Sequence, residues 1–186
     1  MGFNGQENIH SKEDPVKKWE EVYRNENQLL YGYLLKKTNE EQAGDILQDS
    51  FLKLLQVMQK GRAIENPRAY VFQIARNLLI LEYKKKGGRG FEVELPSGIE
   101  DNRFDPAEGV IKKDFLNILE SARGGLSARE QEIFELRWHY GLKQKEIADV
   151  LARSERQIRR DIEKIVRQLR SVFESAGWKE NELDIL

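Results

Sequence analysis

Apolar residues along this chain recur at three- and four-residue spacings, and that period predicts helices almost throughout. The first stretch, about Pro15 to Lys37, carries Trp19, Val22, Tyr23, Leu29, Leu30, Tyr33 and Leu34, with Pro15 suited to a first helical turn. The second, about Gln42 to Lys60, sets Leu47, Phe51, Leu54, Leu55 and Met58 in one stripe. Asn66-Pro67 opens the third, which runs to about Lys86 with Val71, Ile74, Ala75, Leu78 and Leu81 inward. Three such faces can bury one another as a compact bundle. Helices resume from about Ala107 to Ala122 and from Ser127 to Tyr140, where Ser127 and Glu130 make a capping-box pair ahead of an apolar run. Strand-like alternation is confined to the short stretch Phe91–Leu95.

From Leu142 to Leu169 the pattern predicts two helices around a tight turn. The first carries Glu146, Ile147 and Ala148 and closes on Val150 and Leu151. Ser154 then stands where a helix N-cap belongs, its hydroxyl able to accept from free backbone N–H groups. The second helix puts Ile158, Ile162, Ile165, Val166, Leu169 and Phe173 on one side and Arg156, Arg160, Lys164, Arg167 and Arg170 on the other. An apolar seam backed by guanidinium groups lets a helix pack on its domain while presenting charge to a major groove. This is a helix-turn-helix pattern, and it points to DNA. The plainer alternative is the solvated face of an ordinary amphipathic helix. Local charge argues against it: between Arg153 and Arg170, only Glu155, Asp161 and Glu163 offset the basic residues, in a chain of net charge -1.

With 186 residues the chain holds one large or two small domains, and 39% hydrophobic with 34% charged residues suits a folded, helix-rich protein. No run approaches membrane-span length, and the opening MGFNGQENIHSKED lacks the apolar core of a signal peptide, so a cytoplasmic protein without membrane insertion is expected. The absence of cysteine excludes disulfides, thiolate zinc sites and cysteine nucleophiles. His10 and His139 lie far apart and offer no metal-ligand spacing. With no Gly-rich phosphate loop, nucleophile elbow or paired carboxylates, no catalytic residue, metal or cofactor is expected. A pI near 6.2 is low for an autonomous DNA binder, which neutralises phosphates for its affinity, and this predicts affinity borrowed from a larger partner.

Composition also divides the chain. Lys84-Lys85-Lys86-Gly87-Gly88-Arg89-Gly90 ends the third helix, and Gly98 to Pro106 is rich in Gly, Pro and acids. The expected organisation is all-α: a helical domain over 8–86, a linker over 87–106 flexible at its start, a helix-turn-helix domain over 107–176, and a fraying acidic tail over 177–186 with Glu180, Glu182 and Asp184.

In this order the two modules resemble the extracytoplasmic-function class of bacterial RNA polymerase sigma factors, over about Val16 to Leu169. The segment from Asp45 through Gln48, Asp49 and Phe51 to Leu54 is similar to the family's polymerase-docking helix. Asn66-Pro67-Arg68-Ala69-Tyr70 and Ile74-Ala75-Arg76-Asn77-Leu78 are similar to its −10 helix. Leu126-Ser127 with Glu130, Phe134 with Leu136-Arg137, Gly141-Leu142 and Glu146-Ile147-Ala148 match its −35 domain in order and spacing. The chain departs from the family pattern at Ala43-Gly44, where acids are usual, and at Leu81, Lys84, Arg153 and Gln157.

The resemblance implies an alternative sigma factor that binds core RNA polymerase and promoter DNA, with an anti-sigma factor as a further partner. Docking falls to Asp45, Gln48, Asp49 and Leu52, where carboxylates beside a leucine suit an arginine-bearing coiled coil. The −10 contacts fall to Asn66, Arg68, Tyr70, Phe72, Arg76, Asn77, Lys84 and Lys85, because strand opening needs phosphate contacts plus aromatic surfaces for unstacked bases. At least one of Tyr70 and Phe72 is expected in the core, and the loop Gly61–Asn66 resembles the family's pocket for a flipped base. The −35 contacts fall to Arg153, Ser154, Arg156, Gln157, Arg159, Arg160 and Lys164. Glu92, Glu94, Glu100, Asp101 and Asp105 suit a linker threaded through a basic polymerase channel. The alternatives are a helix-turn-helix regulator acting without polymerase, and a regulatory protein that sequesters polymerase or another factor.

Overall fold

The structure, a computed structural model, describes residues 14–87 and 111–178. Most of the linker, the Phe91–Leu95 stretch, the linker acids and the tail acids lie outside the described residues. Within them the architecture is all-α, in two helical sets.

The first set is α1 (Pro15–Leu35), α2 (Glu40–Gln59) and α3 (Pro67–Lys85), each packed on the other two. Each helix begins on a side-chain cap: Asp14 accepts from the Val16 N–H, Asn39 from Gln42 and Asn66 from Ala69, at 2.9, 2.9 and 3.0 Å. Leu30, Tyr33 and Leu34 meet Ile46, Phe51 and Leu54 and then Val71, Phe72 and Ala75 in a closed core. The inward stripes are rotated from the expected ones. Ala43, Ile46 and Leu79 are buried, Leu47, Leu55, Ile74 and Leu78 are half-buried, and Leu81 lies outside at 49% exposure. Ser50 enters the α2 stripe without penalty because its hydroxyl donates to the Ile46 carbonyl at 2.6 Å.

The second set is α4 (Ile111–Gly124), α5 (Ala128–Phe134), α6 (Gln144–Leu151) and α7 (Glu155–Ser175). α7 is its spine and packs on α4, α5 and α6 through Ile158, Ile165, Leu169 and Phe173, all fully buried. The helix expected over Ser127 to Tyr140 changes character midway: after Phe134 the chain makes a π turn over Glu135–His139. There the Tyr140 N–H reaches the Glu135 carbonyl at 3.0 Å, a ring that accommodates one extra residue. Gly141, at φ +64°, ends that segment in the left-handed region. The turn between α6 and α7 also passes through that region, at Ala152, with φ +51°.

The two sets pack directly on one another, chiefly α3 against α6, with Glu135 of the π turn against Lys37 just beyond α1. Sequence reasoning expected two units joined by a linker and named no contact between them. Instead Tyr140 of the second set enters an aromatic cluster with Tyr33 and Phe72 of the first, at ring separations of 5.6 and 5.9 Å.

Candidate nucleic-acid interface

α7 presents the row expected of a recognition helix. Arg153, Ser154, Arg156, Gln157, Arg159, Arg160 and Lys164 are all exposed, while the opposite face is the buried spine of the second set. Ser154 and Gln157 also close a capping box: the Gln157 N–H donates to Ser154 Oγ at 3.3 Å, and Gln157 Oε1 accepts from the Ser154 N–H at 3.2 Å. That leaves Gln157 its amide N–H groups as free donors. Lys164 is tied to Glu130, with Nζ 2.6 Å from the carboxylate. Burial would raise the Glu130 pKa, but hydrogen bonds from Lys164 and from Ser127 outweigh it and hold it down to about 2. Arg170, placed on the basic row by its spacing, is half-buried instead.

The residues assigned to −10 contacts divide into two groups. Asn77, Lys84 and Lys85 are exposed, and Tyr70 is half-buried. Asn66, Arg68, Phe72 and Arg76 face the second set. Phe72 is fully buried against Tyr33 and Tyr140, so of Tyr70 and Phe72 it is the one that lies in the core, and its ring is not on an open surface. Arg76 grips Glu132 with two N–H groups, at 2.8 and 3.1 Å. Burial alone would lower the Arg76 pKa, yet the hydrogen bonds and charge of Glu132 raise it. The Tyr33 hydroxyl donates to the same carboxylate at 3.1 Å, and burial followed by that negative charge pushes the Tyr33 pKa well up. Arg68 pairs with Glu26 at 3.0 Å and donates to the Tyr140 and Gly141 carbonyls. Asn66 caps α3 with its oxygen and donates from Nδ2 to Glu146 at 2.7 Å, while the other Glu146 oxygen accepts from the Lys143 N–H at the start of α6.

The loop before α3 does form a cleft, of about 290 Å³, lined by Arg62, Ala63, Ile64, Glu65, Asn66, Ala69, Tyr70 and Gln73. Asp149 of α6 completes one wall, and Gln73 donates to its carbonyl at 2.7 Å. Away from this contact, Asp45, Gln48, Asp49 and Leu52 line one exposed face of α2, with Leu52 at 46% exposure. Their three- and four-residue spacing sets them side by side. Ala43 is fully buried, so an acid at that position would not extend this face.

Sequence reasoning missed Lys37, Glu132, Glu135, Tyr140 and Glu146, which join the two sets. Lys37 Nζ lies 3.2 Å from Glu135 Oε2, and both side chains are 1% exposed. The signal was present: Glu132 and Glu135 interleave with the inward residues Ile133 and Leu136, where a solvated acid does not belong. Nothing in the sequence named their partners. Among the described residues no group of His, Cys, Asp and Glu could hold a metal ion, and no helix is long and apolar enough to cross a membrane.

An arginine-bearing helix-turn-helix beside a second helical unit with basic and amide side chains along one helix defines a DNA-binding transcription factor. Residues 22–89 match the family Sigma-70 region 2, and residues 124–171 match Sigma-70, region 4. The chain belongs to the sigma-70 family, within its extracytoplasmic-function class, and is an alternative sigma factor of transcription initiation. It is 27% identical over 135 residues to the RNA polymerase sigma factor YlaC of Bacillus subtilis, covering 71% of this chain and 78% of that one. It is 26% identical over 150 residues to the ferric citrate uptake sigma factor FecI of Escherichia coli, covering 80% and 86%. Among solved structures, the fold is similar to that of the sigma factor RpoE in its complex with the anti-sigma factor NepR from Bartonella quintana. The TM-score is 0.57 at 17% identity, covering 86% of this chain and 98% of that one.

Proposed function

We propose that this chain recruits core RNA polymerase in the cytoplasm through α2, holds the opened −10 strand against α3, and reads −35 DNA with the start of α7. It does so without catalysis of its own. Domain boundaries at 8–86 and 107–176, with 87–106 threading a basic polymerase channel, fit this reading. The observation that carries it is α7. Arg156, Arg159 and Arg160 stand exposed on a helix whose other face is fully buried, so the row is rigidly presented. A solvated helix face needs no such arginine concentration, whereas phosphate and guanine recognition does. On α2, exposed carboxylates around Leu52 suit a basic helical partner. In the cleft before α3, Tyr70 and Asn66 supply an aromatic face and an amide for one unstacked base. A further partner of the anti-sigma kind is proposed from the likeness to RpoE in its NepR complex.

The test is run-off transcription from mapped promoters with core polymerase and the purified chain. Arg160→Ala should lower promoter-specific transcripts by about 5- to 150-fold, the worth of roughly 1–3 kcal/mol of base discrimination, with unfolding unchanged. Full promoter use by the folded variant removes α7 from the −35 role.

A further inference from the structure

Along α3, Tyr70, Ile74, Asn77, Leu81 and Lys84 follow one another at spacings of four, three, four and three residues, which keeps them in one row. Val71, Phe72, Ala75 and Leu79 are buried on the opposite side. The row starts at the cleft, where Tyr70 lines the wall, and reaches Lys84 about 21 Å further on. Leu81 stands in it at 49% exposure, the highest of any large apolar side chain among the described residues. It is also one of the positions where the chain departs from the family pattern. Its neighbours on the helix surface, three and four residues away, are Asn77, Leu78, Lys84 and Lys85. Three of these are residues that the family resemblance assigns to −10 DNA. We infer that Leu81 is a specificity-determining residue, favouring thymine at one position of the −10 strand through contact with its 5-methyl group. This deepens the proposed function and rests on its assignment of the −10 strand to α3.

A single exposed leucine is ordinary on a helix surface and carries no meaning alone. The neighbours of Leu81 give it one. A strand that meets Asn77 on one turn and Lys84 or Lys85 on the next must cross the leucine between them. Leu81 offers that strand no donor and no acceptor. A phosphate, or the polar edge of a base, pressed against it would lose water without gaining a hydrogen bond, which disfavours both. The flat face of a base suits it, but every base has one, so stacking there does not select. The thymine methyl is the one apolar group by which base edges differ. The lysines hold the backbone without regard to sequence, and Leu81 adds discrimination at the base beside them. Because the contact is apolar, the preference should not change with salt, unlike the phosphate contacts around it.

The test uses the full chain with core RNA polymerase on a promoter found by mapping transcript starts. Each position of the non-template −10 region in turn carries thymine in one template and deoxyuridine in its twin, so that only the methyl group differs. At one position the deoxyuridine template should yield about three- to fivefold less run-off transcript, the worth of one buried methyl group. That ratio should hold as salt is raised, while total transcript falls. Leu81→Met should keep the difference and Leu81→Asn should remove it. Leu81→Ala, which shortens the side chain without adding a polar group, should narrow it and decides the matter if the asparagine variant does not fold. Equal transcript from the two templates at every position overturns the inference. So does a methyl preference that survives Leu81→Asn, even where total transcript falls, because the leucine would then serve some other contact. Absence of any transcript with core polymerase sinks the proposed function and the role of Leu81 with it, whereas equal use of the two templates sinks only the role of Leu81.

Discussion

Glu130 shows how one side chain can serve several ends. It caps α5 through Ser127, lies almost buried, and holds Lys164 beside the recognition row. Its pKa, near 2, lies below that of an unfolded glutamate, so the folded state binds fewer protons than the unfolded chain between those values. Its contribution is complete above the unfolded pKa and is lost as pH falls through the folded one. The full shift corresponds to roughly 3 kcal/mol, and solvent around the exposed Lys164 ammonium screens this to the order of 1 kcal/mol. Denaturant titrations at successive pH values should therefore show stability falling between about pH 4.5 and pH 2, with a shallower fall in Glu130→Gln. Identical acid limbs in the two chains would contradict the pairing. Lys37 poses the opposite case. Removing one partner of a buried ion pair costs about 3–5 kcal/mol when the other must stay buried. Here the helical sets can part and rehydrate it, so Glu135→Ala should show less as lost global stability than as separation of the two sets.

Single elements carry the positions where sequence and fold agree best. Helix periodicity located α1, α2, α3, α6 and α7 to within a few residues, helped by Pro15 at the start of α1, Asn66-Pro67 at the start of α3 and the Ser154 cap of α7, as Ser127 marked the start of α5. The exposed basic row of α7 and the exposed acidic face of α2 were legible for the same reason: an amphipathic helix sorts its polar residues by angle alone. The π turn was not legible, because one inserted residue leaves no compositional trace. Two substitutions test the local reading. Ala152 holds a left-handed conformation that costs a non-glycine residue about 1–2 kcal/mol, partly offset by the greater freedom of glycine in the unfolded chain. Ala152→Gly should then raise the unfolding free energy by about 0.5–1 kcal/mol in a denaturant melt. Gly44 sits inside α2, where an added Cβ meets nothing within 4 Å. Gly44→Ala should stabilise by about 0.5–1 kcal/mol through helix propensity. A loss at either position would show that the backbone there differs from the one described.

At the scale of the whole molecule, the order of the two modules was readable and their mutual contact was not. Contacts such as Arg76 to Glu132 join residues 56 apart in sequence, and no local period encodes such a pairing. The net charge is only -1, with 31 basic residues against 32 acidic ones. The chain has little cationic surplus with which to hold duplex DNA by itself, and on the proposed function polymerase sets its two promoter surfaces apart along a promoter. The most direct measurement adds the purified chain to core RNA polymerase and maps transcript starts, alongside the affinity of the chain alone for the same duplex. New, discrete start sites that require both components, with weak binding by the chain alone, are the predicted result. Tight operator binding by the chain alone, and no new start with core polymerase, would contradict it.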